Sequence, residues 1–371
     1  MSDKAAVRVL HVPCNTAYVK KITRVGEIEI ANGTSVSSEE TIPFEVTYGW
    51  IAKYREQVQL WDSFDVVHIH YGFEFEDIKT VETALDLVRS HRKPVVFTCH
   101  ELQSVHGIPD DQYQQYISLI LKHADAVITL TDVARRELTS TWRVTDTVVI
   151  PHGFVTQPQC KDPSPDAVPE VLFFGTLRPN RDVVTTFVNA VFGTMDQYHI
   201  SWVTRPFTAN QLDESARLRL ALSLAAGNPR VRIELVLPLT DDEVSNRMRC
   251  ADILALPYNW AGHSGQLELA YDCGLLPVVA NVGFLAGQHQ LWPRENLSTP
   301  DAIEVNWSDG KSWLYQARFL QGLRDALKVL PDFRHSIDLE QRKSFRATEH
   351  EQFQDSHLAV YRQVLNKEKN S

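Results

Sequence analysis

The chain has 371 residues, of which 43% are hydrophobic and 23% are charged, and its formal net charge is −10 at pH 7. This balance excludes a disordered or fibrous chain, and no apolar run is long enough for a transmembrane helix. Acidic residues outnumber basic ones in both halves, which argues against duplex nucleic acid or an anionic membrane surface as the main partner. The length predicts about two domains.

The termini and the cysteines indicate a cellular compartment. The first residues contain no long apolar core before a small-residue cleavage site, so we expect no signal peptide, no stable membrane anchor and a cytoplasmic location. The five cysteines are odd in number and scattered, without a CxxC pair, which predicts reduced thiols and neither a disulfide framework nor a zinc site. They are Cys14, Cys99, Cys160, Cys250 and Cys273.

The first half of the chain alternates short β-branched runs with amphipathic segments, and such alternation indicates a parallel sheet covered on both faces. One stretch, residues 20–50, departs from the pattern: its alternation and the Asn32-Gly33 pair predict an antiparallel hairpin. Strands are predicted at 8–12, 65–70, 94–100, 126–130 and 148–153, and helices over 77–91 and 111–126.

A proline-rich linker is predicted at residues 156–169, where four prolines occur in fourteen residues. The same α/β alternation then restarts, so the fold class is α/β with two doubly wound, Rossmann-like domains. Two such domains in series are expected to face a cleft formed at the carboxyl ends of their strands. The second set of strands is predicted at 170–175, 199–204, 231–236, 253–257 and 275–280, with helices at 182–194, near 210–226 and at 349–367.

A candidate phosphate loop follows the first strand of the second half. Gly175 ends this strand and precedes a helix, a position where backbone can approach a phosphate closely. Arg178 and Arg181 follow in the same turn, and guanidinium groups suit a diphosphate. The alternative is a solvated loop that is basic by chance. The chain lacks the Walker and dinucleotide glycine motifs, which argues against those two classes of nucleotide-binding protein.

A second candidate loop contains Gly262, His263, Ser264 and Gly265 and leads into a helix that starts near Gln266. We expect Ser264 to cap this helix, whose free amide groups would face an anion or sugar hydroxyls. Glu268 lies in the first helical turn. It either complements the helix dipole or accepts hydrogen bonds from hydroxyl groups such as those of a ribose.

Histidines occur at the predicted strand ends of the first half. His100, followed by Glu101, lies at the carboxyl end of a parallel strand, where it would face the cleft and hydrogen-bond a substrate. His70 and His152 are weaker candidates of the same kind. A metal site among these histidines is not predicted, because no ligand spacing recurs on one element. Asp241-Asp242 resembles a helix cap rather than a metal motif.

Several segments together resemble the glycosyltransferases of the GT-B fold, close to the large retaining family four. The resemblance spans roughly residues 60–285 and the terminal helix. The segments that carry it are DVVHIH, PVVFTCHE, ADAVITLTDVARREL, VVIPHG, VLFFGTLRPNRD and ADILALPYN with ELAYDCGLLPVVA, in the order of the family's motifs.

The resemblance implies a role for each domain. A C-terminal domain, residues 156–349, would bind a nucleotide-diphosphate sugar. An N-terminal domain, residues 1–155 with about 350–371, would bind the acceptor. The implied diphosphate ligands are Gly175, Arg178 and Arg181, and Glu268 would hold the ribose. The donor sugar and phosphate would be contacted by His263, Ser264, Gly265 and Gln266.

The resemblance also implies residues of the N-terminal domain. His100 would hold a sugar hydroxyl near the anomeric carbon. The residues expected on the acceptor side or in the cleft are Asn15, His70, Glu101 and His152.

Three departures from the family pattern are visible in the sequence. Thr176 replaces the usual arginine of the phosphate loop, and the first of two paired glutamates is missing. The N-terminal glycine pair is replaced by PCNTAY (13–18). The segment from His263 to Glu268 resembles bacterial natural-product transferases such as those of aminoglycoside assembly.

The predicted function is transfer of a sugar from a nucleotide-diphosphate sugar to a small, soluble, polar acceptor, with retention and without a metal or other cofactor. No nucleic-acid partner is expected, and the sequence does not specify an oligomeric state. Two alternatives stay open. One is a GT-B sugar-nucleotide epimerase or phosphorylase, and the other is a non-catalytic GT-B binding or scaffold subunit.

Overall fold

The computed structural model describes residues 6–37, 41–53, 58–160, 167–194, 198–289, 292, 299–306 and 312–369. The chain divides into two compact units. Unit 1 comprises residues 1–104, 108–153 and 348–371, and unit 2 comprises residues 105–107 and 154–347. Residues 161–166 of the predicted linker lie outside the described residues.

Unit 1 contains a six-stranded sheet in the order β2-β1-β3-β4-β5-β6, in which every neighbouring pair is parallel. The predicted strands of the first half are all present. The strands are β1 (Val7–Val12), β2 (Ile28–Ile30), β3 (Val66–Ile69), β4 (Val95–Thr98), β5 (Ala126–Thr129) and β6 (Thr147–Val149), and the helices are α1 (Ala17–Ile22), α2 (Tyr48–Lys53), α3 (Val58–Asp62), α4 (Ile78–Ser90), α5 (Asp110–His123) and α6 (Asp132–Trp142).

The hairpin predicted within residues 20–50 is wrong for the part of this stretch that the structure describes, 20–37 and 41–50. Strand β2 pairs with β1 in parallel, and only isolated antiparallel bridges occur nearby. The Asn32 side chain explains the difference, because it acts as a further partner of the β1 backbone. Its amide oxygen accepts from His11 N at 2.9 Å, and its amide nitrogen donates to His11 O at 3.0 Å.

Unit 2 contains a second parallel sheet of six strands in the order β12-β11-β10-β7-β8-β9. The single helix predicted near 210–226 is two helices, since Ser215 caps a new one. The strands are β7 (Glu170–Phe174), β8 (His199–Thr204), β9 (Val231–Leu235), β10 (Ile253–Leu256), β11 (Leu276–Asn281) and β12 (Ile303–Asn306), and the helices are α7 (Val183–Thr194), α8 (Ala209–Glu214), α9 (Ala216–Gly227), α10 (Asp241–Arg249), α11 (Gly265–Asp272), α12 (Leu285–His289) and α13 (Ser312–Ser336).

The terminal helix α14 (Leu339–Lys369) starts ten residues before the predicted segment. Its first residues belong to unit 2, and from residue 348 onward it belongs to unit 1. Tyr361 and Val364 pack with Val66, Val96 and Ile128 on one face of the unit 1 sheet. No helix among the described residues combines the length and apolar character that a membrane crossing requires.

Each sheet has one point at which the strand order reverses. In unit 1 this point lies between β1 and β3, and in unit 2 it lies between β7 and β10. Ligands of open parallel sheets bind beyond the carboxyl ends of the strands at such points. The fold therefore marks two places for functional residues: the ends of β1 and β3, and the ends of β7 and β10.

Candidate functional site

The phosphate loop of unit 2 begins at Gly175, directly after β7. Gly175 has φ +103°, and a Cβ at this position would lie 3.0 Å from both Arg181 Nη1 and Gln266 Nε2. Both side chains also bond to Phe174 O, at 3.3 Å from each nitrogen. Only glycine fits here, because the conformation is strained for other residues and the space is filled. The loop thus brings Arg181 and Gln266 together from positions 85 residues apart.

A cavity of about 200 Å³ opens beside this loop. Two polar atoms at the cavity, Arg181 Nε and Thr204 Oγ1, are buried and lack a hydrogen-bond partner. The guanidinium of Arg181 lies 4.9 Å above the ring of Tyr258. Four residues that were predicted for the donor site line this cavity: Gly175, Arg178, Arg181 and Gln266. The cavity is also lined by residues that sequence analysis did not assign to the donor site, namely Thr176, Val203, Thr204, Arg205, Val236, Leu237, Leu239 and Val244.

The second predicted loop leads into α11, and Ser264 is its N-cap, as expected. Ser264 Oγ accepts from Leu267 N, and it also lies 2.9 Å from Tyr258 OH. The Ser264 backbone is held by Gln288, which accepts from Ser264 N at 3.0 Å and donates to Ser264 O at 2.7 Å. Ser264 is therefore buried and fixes the start of the helix. Gly265 is exposed and His263 half-buried beside it.

Glu268 has an environment that differs from the predicted one. Its side chain is buried and accepts from Arg346 Nη2 at 2.5 Å, Gln288 Nε2 at 2.8 Å and Trp292 Nε1 at 3.3 Å. Arg346 also bonds to Asp272 Oδ1 through Nε at 2.8 Å. The carboxylate therefore already has three partners inside unit 2, and its assignment as a ribose ligand stays a prediction. Its position in the chain could not show this, since Arg346 lies 78 residues away.

A histidine cluster lies in unit 1, with members on or shortly after β1, β3, β4 and β6 and on α14. Tyr18 of α1 is at its centre: its ring is 4.8 Å from that of His100, and its hydroxyl is 3.3 Å from His357 Nε2. Sequence analysis assigned no role to Tyr18 or to three of the histidines, His11, His68 and His357. We call this the histidine cluster; its members are His11, His68, His70, His100, His152 and His357.

Within the cluster, hydrogen bonds fix some rings and leave other nitrogens unused. His68 lies 2.7 Å from Tyr361 OH through Nδ1 and 2.7 Å from Thr98 Oγ1 through Nε2. His11 Nδ1 faces His70 Nε2 at 3.0 Å. The buried nitrogens His11 Nε2, His70 Nδ1 and His100 Nε2 have no partner.

Burial determines the charge of these rings. It lowers the pKa of His11 and of His100 to about 3 and that of His357 to about 4. The pKa values of His68 and His70 also fall well below 6.5, first through burial and then through neighbouring histidines. These five rings are therefore neutral at pH 7, and His100 can both donate and accept a hydrogen bond.

The remaining predicted residues lie at the same edge of unit 1. Asn15 is exposed in the loop between β1 and α1. Glu101 follows His100, and its carbonyl accepts from Cys99 Sγ at 3.6 Å. His152 is half-buried after β6 and contacts the ring of Tyr18 at 5.4 Å.

Known proteins resemble this chain in part of its sequence and in its fold. Residues 24–157 match the family model described as Glycosyltransferase Family 4. No curated protein matches the chain.

Three solved structures illustrate the likeness in fold. Sucrose-phosphate synthase from Thermosynechococcus elongatus has a TM-score of 0.65 at 15% identity, covering 98% of this chain and 100% of that one. HepE from Anabaena, in complex with UDP-glucose, has a TM-score of 0.62 at 15% identity over 95% and 99%. The UDP-forming α,α-trehalose-phosphate synthase from Burkholderia vietnamiensis has a TM-score of 0.61 at 11% identity over 98% and 99%.

The fold is that of the GT-B proteins, which confirms the expected pair of doubly wound α/β domains. In addition, residues 24–157 are similar to the family model described as Glycosyltransferase Family 4. The resemblance read from the motifs and the predicted enzyme class, a glycosyltransferase, are both confirmed.

Proposed function

We propose that this protein transfers a sugar from a nucleotide-diphosphate sugar to a small, soluble, polar acceptor. The observation that carries the proposal is Arg181, a guanidinium at the strand-order reversal of unit 2. Its Nε has no partner, and its Nη1 makes only long bonds to neutral oxygens, 3.3 Å to Phe174 and 3.4 Å to Gln266. Such a group is suited to binding an anion, because charge-assisted hydrogen bonds to a phosphate are shorter and stronger than its bonds to neutral oxygens.

The surroundings of Arg181 support a diphosphate leaving group. Arg178 lies three residues earlier in the same loop, and the positive end of the α11 dipole begins at Gly265. Fixed positive charge of this kind stabilises the negative charge that develops on a departing diphosphate. This is why we propose a transfer step without a metal ion at the diphosphate.

The cavity wall supports a nucleotide rather than a bare phosphate. Val236, Leu237 and Leu239 line the cavity after β9, and Thr204 and Arg205 line it after β8. Apolar side chains with a few polar groups form the usual pocket of a flat, heterocyclic ligand. The solved structures of similar fold include complexes with UDP-glucose and with ADP, so uridine and adenosine diphosphate sugars are tested first.

The proposal assigns the acceptor to unit 1. His100 keeps its predicted role, a hydrogen bond to a sugar hydroxyl, for which a neutral ring with an unpartnered Nε2 is suited. We propose retention of anomeric configuration, with a phosphate oxygen of the leaving group taking the proton of the acceptor hydroxyl. No side-chain nucleophile is assigned.

A ligand panel tests the donor site. The melting temperature is measured with UDP-, GDP-, dTDP- and ADP-sugars, with and without magnesium, because a ligand of the native state raises it by mass action. We expect one nucleotide family to raise it, with no dependence on magnesium. Arg181→Ala should weaken that binding by roughly 10- to 100-fold, the equivalent of one charged hydrogen bond. Arg249→Ala, at the surface end of α10, is the matched control.

Turnover distinguishes the alternatives. With the donor identified, product analysis by NMR shows sugar transfer and the configuration of the new bond. Conversion of the donor without acceptor would indicate an epimerase, and a requirement for inorganic phosphate would indicate a phosphorylase. Absence of binding to every nucleotide sugar would refute the proposed donor site, and binding without turnover would favour a scaffold subunit.

A further inference from the structure

Three histidines of unit 1 lie side by side because of strand register. His11 on β1 is paired with His68 on β3, and His70 follows two residues further along the same chain. Side chains two residues apart on a strand share one face. All three side chains are almost fully buried. Adjacent strands therefore bring His11 beside two imidazoles that lie more than fifty residues away in the sequence.

The distances between these rings suit one shared ion. One ligand nitrogen from each ring can be chosen so that all three lie within 4.8 Å of one another. His11 Nδ1 and His70 Nε2 are 3.0 Å apart. Two nitrogens on one zinc ion, with bonds of about 2.0 Å, are separated by roughly 3.3 Å. A shift of a few tenths of an ångström would therefore admit the ion between these two rings.

The protein leaves part of this ligand set unused. His11 Nε2 and His70 Nδ1 are buried and unpartnered. A neutral imidazole has one donor and one acceptor nitrogen, so the bond between the two rings leaves each with an unsatisfied polar atom. Unsatisfied buried groups are costly, and an ion bound to His11 Nδ1 and His70 Nε2 would replace the single hydrogen bond between these two nitrogens with two metal–nitrogen bonds.

We propose that His11, His68 and His70 form a binding site for one transition-metal ion of the zinc class. Imidazole nitrogen is a preferred ligand of Zn²⁺, Cu²⁺ and Ni²⁺. Three protein ligands leave a fourth position for water. His68 has the outer support common to such ligands, since ligation through either nitrogen leaves the other beside the hydroxyl of Thr98 or Tyr361.

The site is distinct from the proposed donor site. It consists only of unit 1 residues, whereas Arg181 and its cavity belong to unit 2. The ion would join the ends of β1 and β3, one strand away from His100. Its role is therefore to hold the carboxyl ends of β1 and β3 together. Binding of the ion can be measured whether or not the protein transfers a sugar.

Metal analysis tests the site on the full chain without an affinity tag. The protein is stripped with a chelator and titrated with Zn²⁺ and, for its visible spectrum, with Co²⁺. We expect one ion per chain, a rise in melting temperature with Zn²⁺ and the Co²⁺ bands of a four-coordinate site. His11→Gln and His70→Gln should each lower the affinity at least tenfold. His123→Gln, a buried histidine on α5 of the same unit, should leave it unchanged.

Equal binding by wild type and both cluster variants would overturn the proposal, as would the absence of stoichiometric binding to the wild type. If the variants do not fold, X-ray absorption of the zinc-loaded wild type decides. Scattering from three imidazole rings supports the site, and fewer than two rings refutes it.

Discussion

Replacing Arg346 with methionine should destabilise unit 2 strongly. The Arg346 side chain is almost fully buried and bonds to Glu268 at 2.5 Å and Asp272 at 2.8 Å. Methionine fills a similar volume but removes the positive charge, so both buried carboxylates lose their ion-pair partner. Each keeps only neutral donors: Gln288 and Trp292 for Glu268, and backbone amides of the linker for Asp272.

The expected loss is about 3–5 kcal/mol of unfolding free energy, the usual cost of breaking a buried ion pair on one side. That is a large share of the roughly 5–15 kcal/mol that stabilises a typical protein. Burial already raises the pKa of Asp272, and Arg346 opposes this rise. Without Arg346 the pKa rises further, so the stability of the variant falls as pH increases through that pKa. The loss relative to wild type should shrink as the pH is lowered toward 5.

Urea denaturation followed by tryptophan fluorescence, with hydrogen exchange on peptides of α11, measures the effect. Lys343→Met is the control, because Lys343 forms an exposed pair with Glu340 on the same helix, and such pairs contribute little. Adding Glu268→Gln and Asp272→Asn to Arg346→Met should recover more than half of the loss. A loss below about 1 kcal/mol for Arg346→Met would refute the reasoning that links buried charge to a large penalty.

Three further substitutions test other features. Gly175→Ala should weaken donor binding at least tenfold, because the added Cβ would lie 3.0 Å from Arg181 Nη1 and Gln266 Nε2 and displace them; an unchanged dissociation constant in calorimetry would contradict this. Asn32→Ala removes two buried hydrogen bonds to the backbone of β1 and should cost about 1–3 kcal/mol, seen as faster hydrogen exchange in β1 than in β5. Burial raises the pKa of Glu74, so its ionisation lowers stability as pH rises through that pKa. Glu74→Gln should flatten this decline in urea titrations at several pH values, and an identical pH profile would exclude the effect.

Local patterns predicted ten of the twelve strands in the described residues, and missed β2 and β12. Strands such as β3 and β4 are mostly apolar and are buried throughout, because both faces of a parallel sheet are covered. Strand β2 was missed for a physical reason: it has three residues, and its register depends on the Asn32 side chain, which no periodicity reveals.

The candidate donor site was predictable where its residues are close in sequence. Gly175, Arg178 and Arg181 lie in one turn, whereas Thr204 and Arg205 reach the cavity from the next strand of the sheet. The environment of Glu268 depends on Arg346, and that of His70 depends on His11. These contacts join residues that are far apart in the sequence and form only when the chain folds. A single sequence therefore does not predict them.

The neutral partners of Arg181 have a practical consequence for measurement. Its described contacts are a carbonyl oxygen, an amide oxygen and an aromatic ring. An incoming anion therefore displaces no carboxylate, and any small oxyanion in the solution can occupy the same place. Sulfate and inorganic phosphate should act as competitive inhibitors, so an assay in phosphate buffer would underestimate the affinity for the donor, whereas a cationic amine buffer without an oxyanion group would not.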